Sequence, residues 1–283
     1  FAEESSAYPQ VTHGLTDGGL GFSFKWNMGW MNDMLSYMEM DSFFRKWNHN
    51  KLTFSMYYAF SEAYVLPLSH DEVVHGKRSL LSKMPGDYWQ KFAQLRLLYA
   101  YQFAHPGKKL MFMGDEFGQF IEWNFAESLD WLLLDYDKHR EMQRMVRELN
   151  RFYTATPALY RVDDSWEGFK WLSVDDSVHS VAAWMRMDGQ GGALLCAFNF
   201  TPIPWQDYHV GVPAAGVYTE AFCTDDARFG GTGDYTNGPV ETMDEPLGGF
   251  AQRLSLRLPP FGAVYLRYEG DLRDGQDEND AAE

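Results

Sequence analysis

Cysteine is nearly missing from this chain: Cys196 and Cys223 are the two in 283 residues. A disulfide framework and a four-ligand zinc cage are thereby excluded, and a reducing, cytoplasmic setting is expected. Positive charge is also short. Lys and Arg number 24 against 40 Asp and Glu, a formal net charge of −16. Such a surface repels phosphate backbones and anionic lipid, so neither nucleic acid nor a membrane is expected as a partner, and a neutral substrate is favoured. No apolar run reaches bilayer-spanning length, and no charged-then-apolar leader opens the sequence. There is no Gly-x-Ser-x-Gly elbow. Gly76-Lys77-Arg78-Ser79 ends like a phosphate loop, but residue 71 is Asp where that pattern needs Gly. Glu72-Val73-Val74-His75 has the spacing of a di-iron helix, yet it follows a strand pattern and has no second copy. No internal repeat is visible.

What remains is organised around residues 64–72, Tyr-Val-Leu-Pro-Leu-Ser-His-Asp-Glu. An apolar run without alternation suits a parallel strand buried on both faces, and the ionisable cluster then lies at its carboxyl end. In α/β sheets and barrels that edge is where sites are built. The same motif also fits a buried strand that simply ends in a turn capped by Asp71. Aromatic residues make up 17% of the chain, which serves cores first and the flat C–H faces of sugars second.

Along the chain, Gly21–Trp26 reads as a strand, Met28–Met40 as a helix, and Leu52–Phe60 as a short helix or turn. Asp87 predicts a helix N-cap after Pro85-Gly86, with Tyr88, Phe92, Leu95, Tyr99 and Phe103 at helical spacing up to His105-Pro106-Gly107. Lys109–Met113 predicts a strand and Asp137–Tyr153 a further helix. Strands alternating with helices predict a β/α barrel. From about Asp163 the grammar changes to short strands bounded by Gly, Pro and Asp: Phe169–Leu172, Val178–Met187, Ala193–Phe200, Tyr208–Val212 and Val217–Phe222. Arg253–Leu258 and Phe261–Tyr268 read as a hairpin-like pair across Pro259-Pro260. This series predicts a β-sandwich. Asp271–Glu283 is acidic and apolar-poor, and disorder is expected there.

Leu66-Pro67-Leu68-Ser69-His70-Asp71-Glu72-Val73-Val74-His75-Gly76-Lys77 resembles the His-Asp strand-end motif of the α-amylase superfamily, in the form found in 1,4-α-glucan branching enzymes. Ala2-Glu3-Glu4-Ser5 resembles the preceding motif, and Met113–Gln119 the last barrel strand, with Lys25-Trp26-Asn27 between the first two. The resemblance implies an α/β plus all-β fold: the C-terminal half of a (β/α)8 TIM barrel over 1–160, a β-sandwich domain over 161–268 and an acidic tail over 269–283. It implies Glu3 as general acid/base and Asp71 as transition-state stabiliser, with His70, Trp26, Trp123 and Asn124 contacting an α-1,4-glucan. Glu72, His75 and Lys77 belong to the motif without an assigned catalytic role. The implied reaction cuts an α-1,4 link and passes the segment to a 6-hydroxyl through a glycosyl-enzyme, with no cofactor and no metal. The nucleophile of that family lies upstream of its acid. The chain starts at Phe1, so a segment without the nucleophile and the first half of its barrel, inactive alone, is expected. A hydrolase of the same superfamily and a non-catalytic glucan-binding module are the alternatives.

Overall fold

The structure, a computed structural model, describes residues 10–273. Glu3 therefore lies outside the described residues. In chain order the main elements are β1 (Lys25–Trp26), α1 (Met28–Met38), α2 (Ser42–Arg45), α3 (Asn50–Thr53), β2 (Tyr64–Leu68), α4 (Leu80–Lys83), α5 (Tyr88–Ala104), β3 (Lys108–Met111) and α6 (Asp137–Ala155). The strands β4 (Phe169–Ser173), β5 (Val181–Met187), β6 (Ala193–Asn199), β7 (Trp205–Val212), β8 (Val217–Cys223), β9 (Pro239–Glu241), β10 (Gln252–Leu258) and β11 (Gly262–Tyr268) follow.

The order β1-β2-β3 forms a parallel sheet, with Trp26 level with Val65 and Met111 level with Leu68. The expected strand over 21–26 shrinks to its last two residues. Strand β2 carries a proline at 67 although it has a neighbour on each side. It fits because β1 pairs only as far as Val65, so the missing Pro67 N–H falls beyond that partner. Helix α1 starts where Asn27 Oδ1 accepts the Trp30 amide at 2.9 Å. Helix α5 has a reciprocal cap: Asp87 Oδ1 accepts from Gln90 N at 2.8 Å, and Gln90 Oε1 from Asp87 N at 3.1 Å.

One helical stripe was expected on α5, but every residue from Phe92 to Ala104 is buried. The reason is a second partner. The β4-β5-β6-β11-β8-β9 sheet is antiparallel and lays one face, with Trp184, Cys196, Phe198 and Tyr265, against α5. Its other face, with Val181, Ala183, Leu195 and Val264, meets the two-stranded β10-β7 sheet. This double burial explains why β6 is buried along its whole length. Cys196 and Cys223 are free thiols on opposite faces of the sheet.

Two expectations are corrected here. Arg253–Leu258 and the strand after it are not a hairpin: β10 pairs with β7, whereas β11 sits between β6 and β8. The Pro259-Pro260 turn, ending on Phe261 at φ 46°, carries the chain from one sheet to the other. Strict alternation in β10 reports one buried face and says nothing about which strand supplies its partner. The acidic tail is also not free from its start. Leu272 N donates to Gly191 O at 3.1 Å, and its side chain packs against the inner core of the sandwich. Residues 274–283 lie outside the described residues.

The carboxyl end of α5 locks the two sheet systems together. Ala104 O accepts from Arg186 Nη1 at 2.7 Å and from Trp184 Nε1 at 3.3 Å, so a terminal carbonyl with no partner inside the helix is satisfied by the antiparallel sheet. Arg45, fully buried, reaches the other way, donating to Phe200 O at 2.8 Å and Met38 O at 2.9 Å. Trp184→Ala removes an aromatic from this shared core and is expected to cost about 3–5 kcal/mol. Urea unfolding followed by hydrogen exchange checks it: protection should fall in α5 and β5 together, whereas loss confined to β5 would contradict a common core.

Candidate active site

Strand β2 ends at Leu68, and the backbone turns at once. Ser69 Oγ accepts the Asp71 amide at 3.3 Å and starts a 3-10 turn over His70–Glu72. The turn leaves His70 and Asp71 partly exposed, with His70 Nε2 3.4 Å from Asp71 Oδ1. The His70 ring lies 5.9 Å from both Phe112 and Trp123, and those two rings meet edge-on at 5.0 Å. Phe112 directly follows β3, so the ends of adjacent parallel strands converge on one imidazole. Glu72 is turned inward and buried.

A groove of about 630 Å³ adjoins this cluster, lined by Val74, His75, Ile121, Glu122, Trp123, Asn124, Phe125 and Glu127. Of the residues singled out from sequence, the structure brings His70, Asp71 and Trp123 together and sets Asn124 in the groove wall. There Asn124 Oδ1 accepts from Ala126 N at 3.0 Å, closing a local turn. Trp26 stands apart. Its register with Val65 stops it short of the His70 turn, and among the described residues no hydrogen bond or ring contact joins it to His70, Asp71 or Trp123.

Sequence reasoning missed Glu122. Its carboxylate accepts the Arg78 amide at 2.7 Å and the Gly76 amide at 3.0 Å, and it lies 3.3 Å from His75 Nδ1. Together with Trp123 N donating to Val73 O at 2.8 Å, this pins the loop after β2 to the loop after β3. No spacing rule connects residues so far apart in sequence. The only signal was a Glu directly before an aromatic candidate.

Asp115, at the end of β3, was part of a quoted motif and has a different environment. It is buried, its Oδ2 has no hydrogen-bond partner among the described residues, and burial pushes its carboxyl well above the usual range, with Glu116 adding to the push. It is therefore not equivalent to Asp71.

Two outcomes follow from these carboxylates. Hydrogen bonds from Arg78 and Gly76 hold Glu122 below the ordinary glutamate range. Its contribution is thus present above the unfolded value and lost as pH falls through the folded one. Amide exchange at Gly76 and Arg78 is expected to accelerate in Glu122→Ala at neutral pH and in the parent chain on acidification. Unchanged exchange at both amides would dismiss the clasp. For Asp115 the sign reverses: a raised folded value makes stability fall as pH rises from the ordinary carboxylate range. Asp115→Asn should remove that loss, gaining on the parent chain between acid and neutral pH in urea midpoints. A constant difference across pH would refute the buried-carboxyl account.

Comparison with known proteins then places the chain. Residues 171–269 match the family described as alpha amylase, C-terminal all-beta domain. Over 270 residues the chain is 52% identical to a 1,4-alpha-glucan branching enzyme of Halothermothrix orenii, covering 94% of this chain and 42% of that protein. The branching enzyme of Aquifex aeolicus is 53% identical over 271 residues, covering 95% of this chain and 43% of that protein. The chain thus spans about two fifths of the length of the curated relatives it matches. Among solved structures, AmyP in complex with maltose aligns with a TM-score of 0.60 at 13% identity, covering 89% of this chain and 51% of that one. The α-amylase of H. orenii aligns at 0.54 and 14%, covering 88% and 49%. At those identities the likeness concerns the fold, and it extends across both the parallel and the antiparallel parts. By its sequence the chain is thus similar to a stretch of the 1,4-α-glucan branching enzymes, and its residues 171–269 match the all-beta domain of alpha amylases.

Proposed function

We propose that the chain forms part of an enzyme that cuts an α-1,4 link of a glucan and transfers the released segment to a 6-hydroxyl. The observation that carries the reading is the seating of His70 and Asp71 at the carboxyl end of a buried parallel strand, beside Phe112, Trp123 and an open groove. In this reading β1, β2 and β3 are late strands of a β/α barrel over residues 1–160, and 161–268 form the sandwich domain.

Retaining glycosyl transfer proceeds through an oxocarbenium-like transition state, so negative charge near the anomeric carbon lowers the barrier more than it strengthens substrate binding. Asp71 is assigned that role. His70 donates to the same sugar, with its ring held by Phe112 and Trp123, and Glu3 protonates the leaving oxygen. Trp123 and Asn124 form one wall of the glucan groove. Trp26 keeps a contact role only toward a more distant sugar. No residue among 1–283 is assigned as nucleophile, so this chain by itself is expected to bind glucan without turning it over.

Transfer and hydrolysis share the glycosyl-enzyme and differ in what resolves it. A bound acceptor competes with water because orientation supplies an effective molarity of about 10⁵ M or more. In an intact branching enzyme carrying this stretch, amylose should gain α-1,6 linkages by proton NMR with few new reducing ends. Asp71→Asn should lower the rate on the order of a hundredfold or more, and equally for activated and natural substrates. Reducing ends rising without an α-1,6 signal would assign a hydrolase instead.

A further inference from the structure

A second cavity of about 630 Å³ lies in the antiparallel part, between the edge strand β4 and strand β7 of the facing sheet. It shares no lining residue with the groove at Trp123. Its walls include Asp175, Asp176, His179, Trp205, Asp207 and Tyr208, and among the described residues no lysine or arginine lines it.

The side chains there are tied into a fixed arrangement. Asp176 Oδ2 accepts from the Tyr208 hydroxyl at 2.8 Å and from His179 Nδ1 at 2.9 Å. The His179 ring then meets the Trp205 indole edge-on, with centroids 4.6 Å apart at 76°. Held this way, the indole presents a rigid face without loss of rotamer freedom on binding. The Trp205 indole N–H is shielded from solvent and has no acceptor among the described residues. Asp175 is exposed at the rim. Neither the fold nor the reaction described above uses these groups.

The combination selects a ligand class. With no lysine or arginine in the lining, and with His179 and His209 paired to Asp176 and Asp207, the carboxylates disfavour phosphates and other anions and accept hydrogen bonds from hydroxyls. An indole face packs against apolar C–H surface. A neutral sugar supplies both hydroxyl donors and an apolar C–H face, and the volume falls in the range of small-ligand sites. We propose that the Trp205–His179–Tyr208 cavity is a second binding site for a neutral α-1,4-glucan segment, separate from the His70–Trp123 groove. The choice of glucan among neutral sugars rests on the proposed function. The existence of the site does not.

The test titrates the ¹⁵N-labelled 283-residue chain with maltoheptaose and follows the amides of His179 and Tyr208 and the Trp205 indole N–H. Saturable shifts at all three are expected, and they should persist in Trp123→Ala. Trp205→Ala should weaken the response of the His179 and Tyr208 amides about tenfold, the equivalent of about 1.4 kcal/mol. Tyr208→Phe, which keeps the ring and frees Asp176, serves as a second variant whose fold is checked by its unperturbed amide spectrum. Glucose 1-phosphate at equal concentration should leave the three signals in place. Shifts confined to the Trp123 groove, no loss in Trp205→Ala, or an equal response to the anionic sugar would each overturn the proposal. Those outcomes leave the branching reading standing, because that reading is decided by α-1,6 linkage formation in the longer enzyme.

Discussion

The constraint on which the rest depends is helix α5, a 17-residue helix buried between two sheets. Its side chains reach the parallel sheet: Gln102 Nε2 donates to Leu66 O and to Leu110 O, both at 3.0 Å, and so joins β2 to β3. Its last carbonyls are taken by the antiparallel sheet, through Arg186, Trp184 and the Tyr265 hydroxyl, which donates to Ala100 O. Burying Arg186 fully is tolerable because Asp163 lies 2.9 Å away. The same pocket holds Lys109, whose ammonium is pushed down to about 7 by burial. The strand that presents His70 and Asp71 is thus held to the antiparallel sheet through one helix.

A second regularity is the use of acidic side chains as loop clasps. Glu122 holds two amides of the 76–78 loop, and Glu62 accepts from Val11 N at 2.6 Å and Thr12 N at 2.8 Å. Asp188 accepts from Gln190 N at 2.8 Å and Gly192 N at 2.9 Å. A carboxylate offers two oxygens and accepts from two nearby backbone amides at once. Part of the acidic excess therefore does structural work inside the molecule, in addition to shaping its outer field.

The sequence made the local elements legible where one physical signal dominated. Asp87, read as an N-cap after Pro85-Gly86, placed the start of α5 to the residue, and the unalternating run at 64–68 located β2. The short strands after Asp163 were visible through their Gly, Pro and Asp boundaries. What stayed hidden was pairing between distant residues. The same alternation in β10 suits a neighbour in either sheet, so only the packed structure separates β7 from β11 as its partner. Helical spacing revealed one face of α5, while burial of the opposite face depended on a sheet that begins more than sixty residues later. The site divided in the same way. His70, Asp71 and Trp123 were found as residue types at strand ends, whereas Glu122 acquires meaning only when two loops touch. Trp26 was chosen from a strand-end pattern, and its register shows that β1 ends lower than its neighbours.

The two aspartates at the strand ends show why proximity to that edge is not enough to assign chemistry. A group that stabilises developing positive charge must carry negative charge when the sugar arrives. Asp115 is shut off from solvent with one oxygen unpaired, which favours its neutral form. It is also buried and does not line the groove. Asp71 keeps 37% of its side chain exposed, with an imidazole beside it. Its hydration can therefore be exchanged for sugar hydroxyls at little net cost, because each lost water contact is replaced by a hydrogen bond of similar strength. The two turns differ: Ser69 Oγ accepts the amide of Asp71, whereas Asp115 follows a left-handed Gly114 and its carbonyl accepts from the Tyr99 hydroxyl of α5. Two similar strand-end motifs thus yield one solvent-facing carboxylate and one buried carboxyl, and only the first suits the proposed catalytic role.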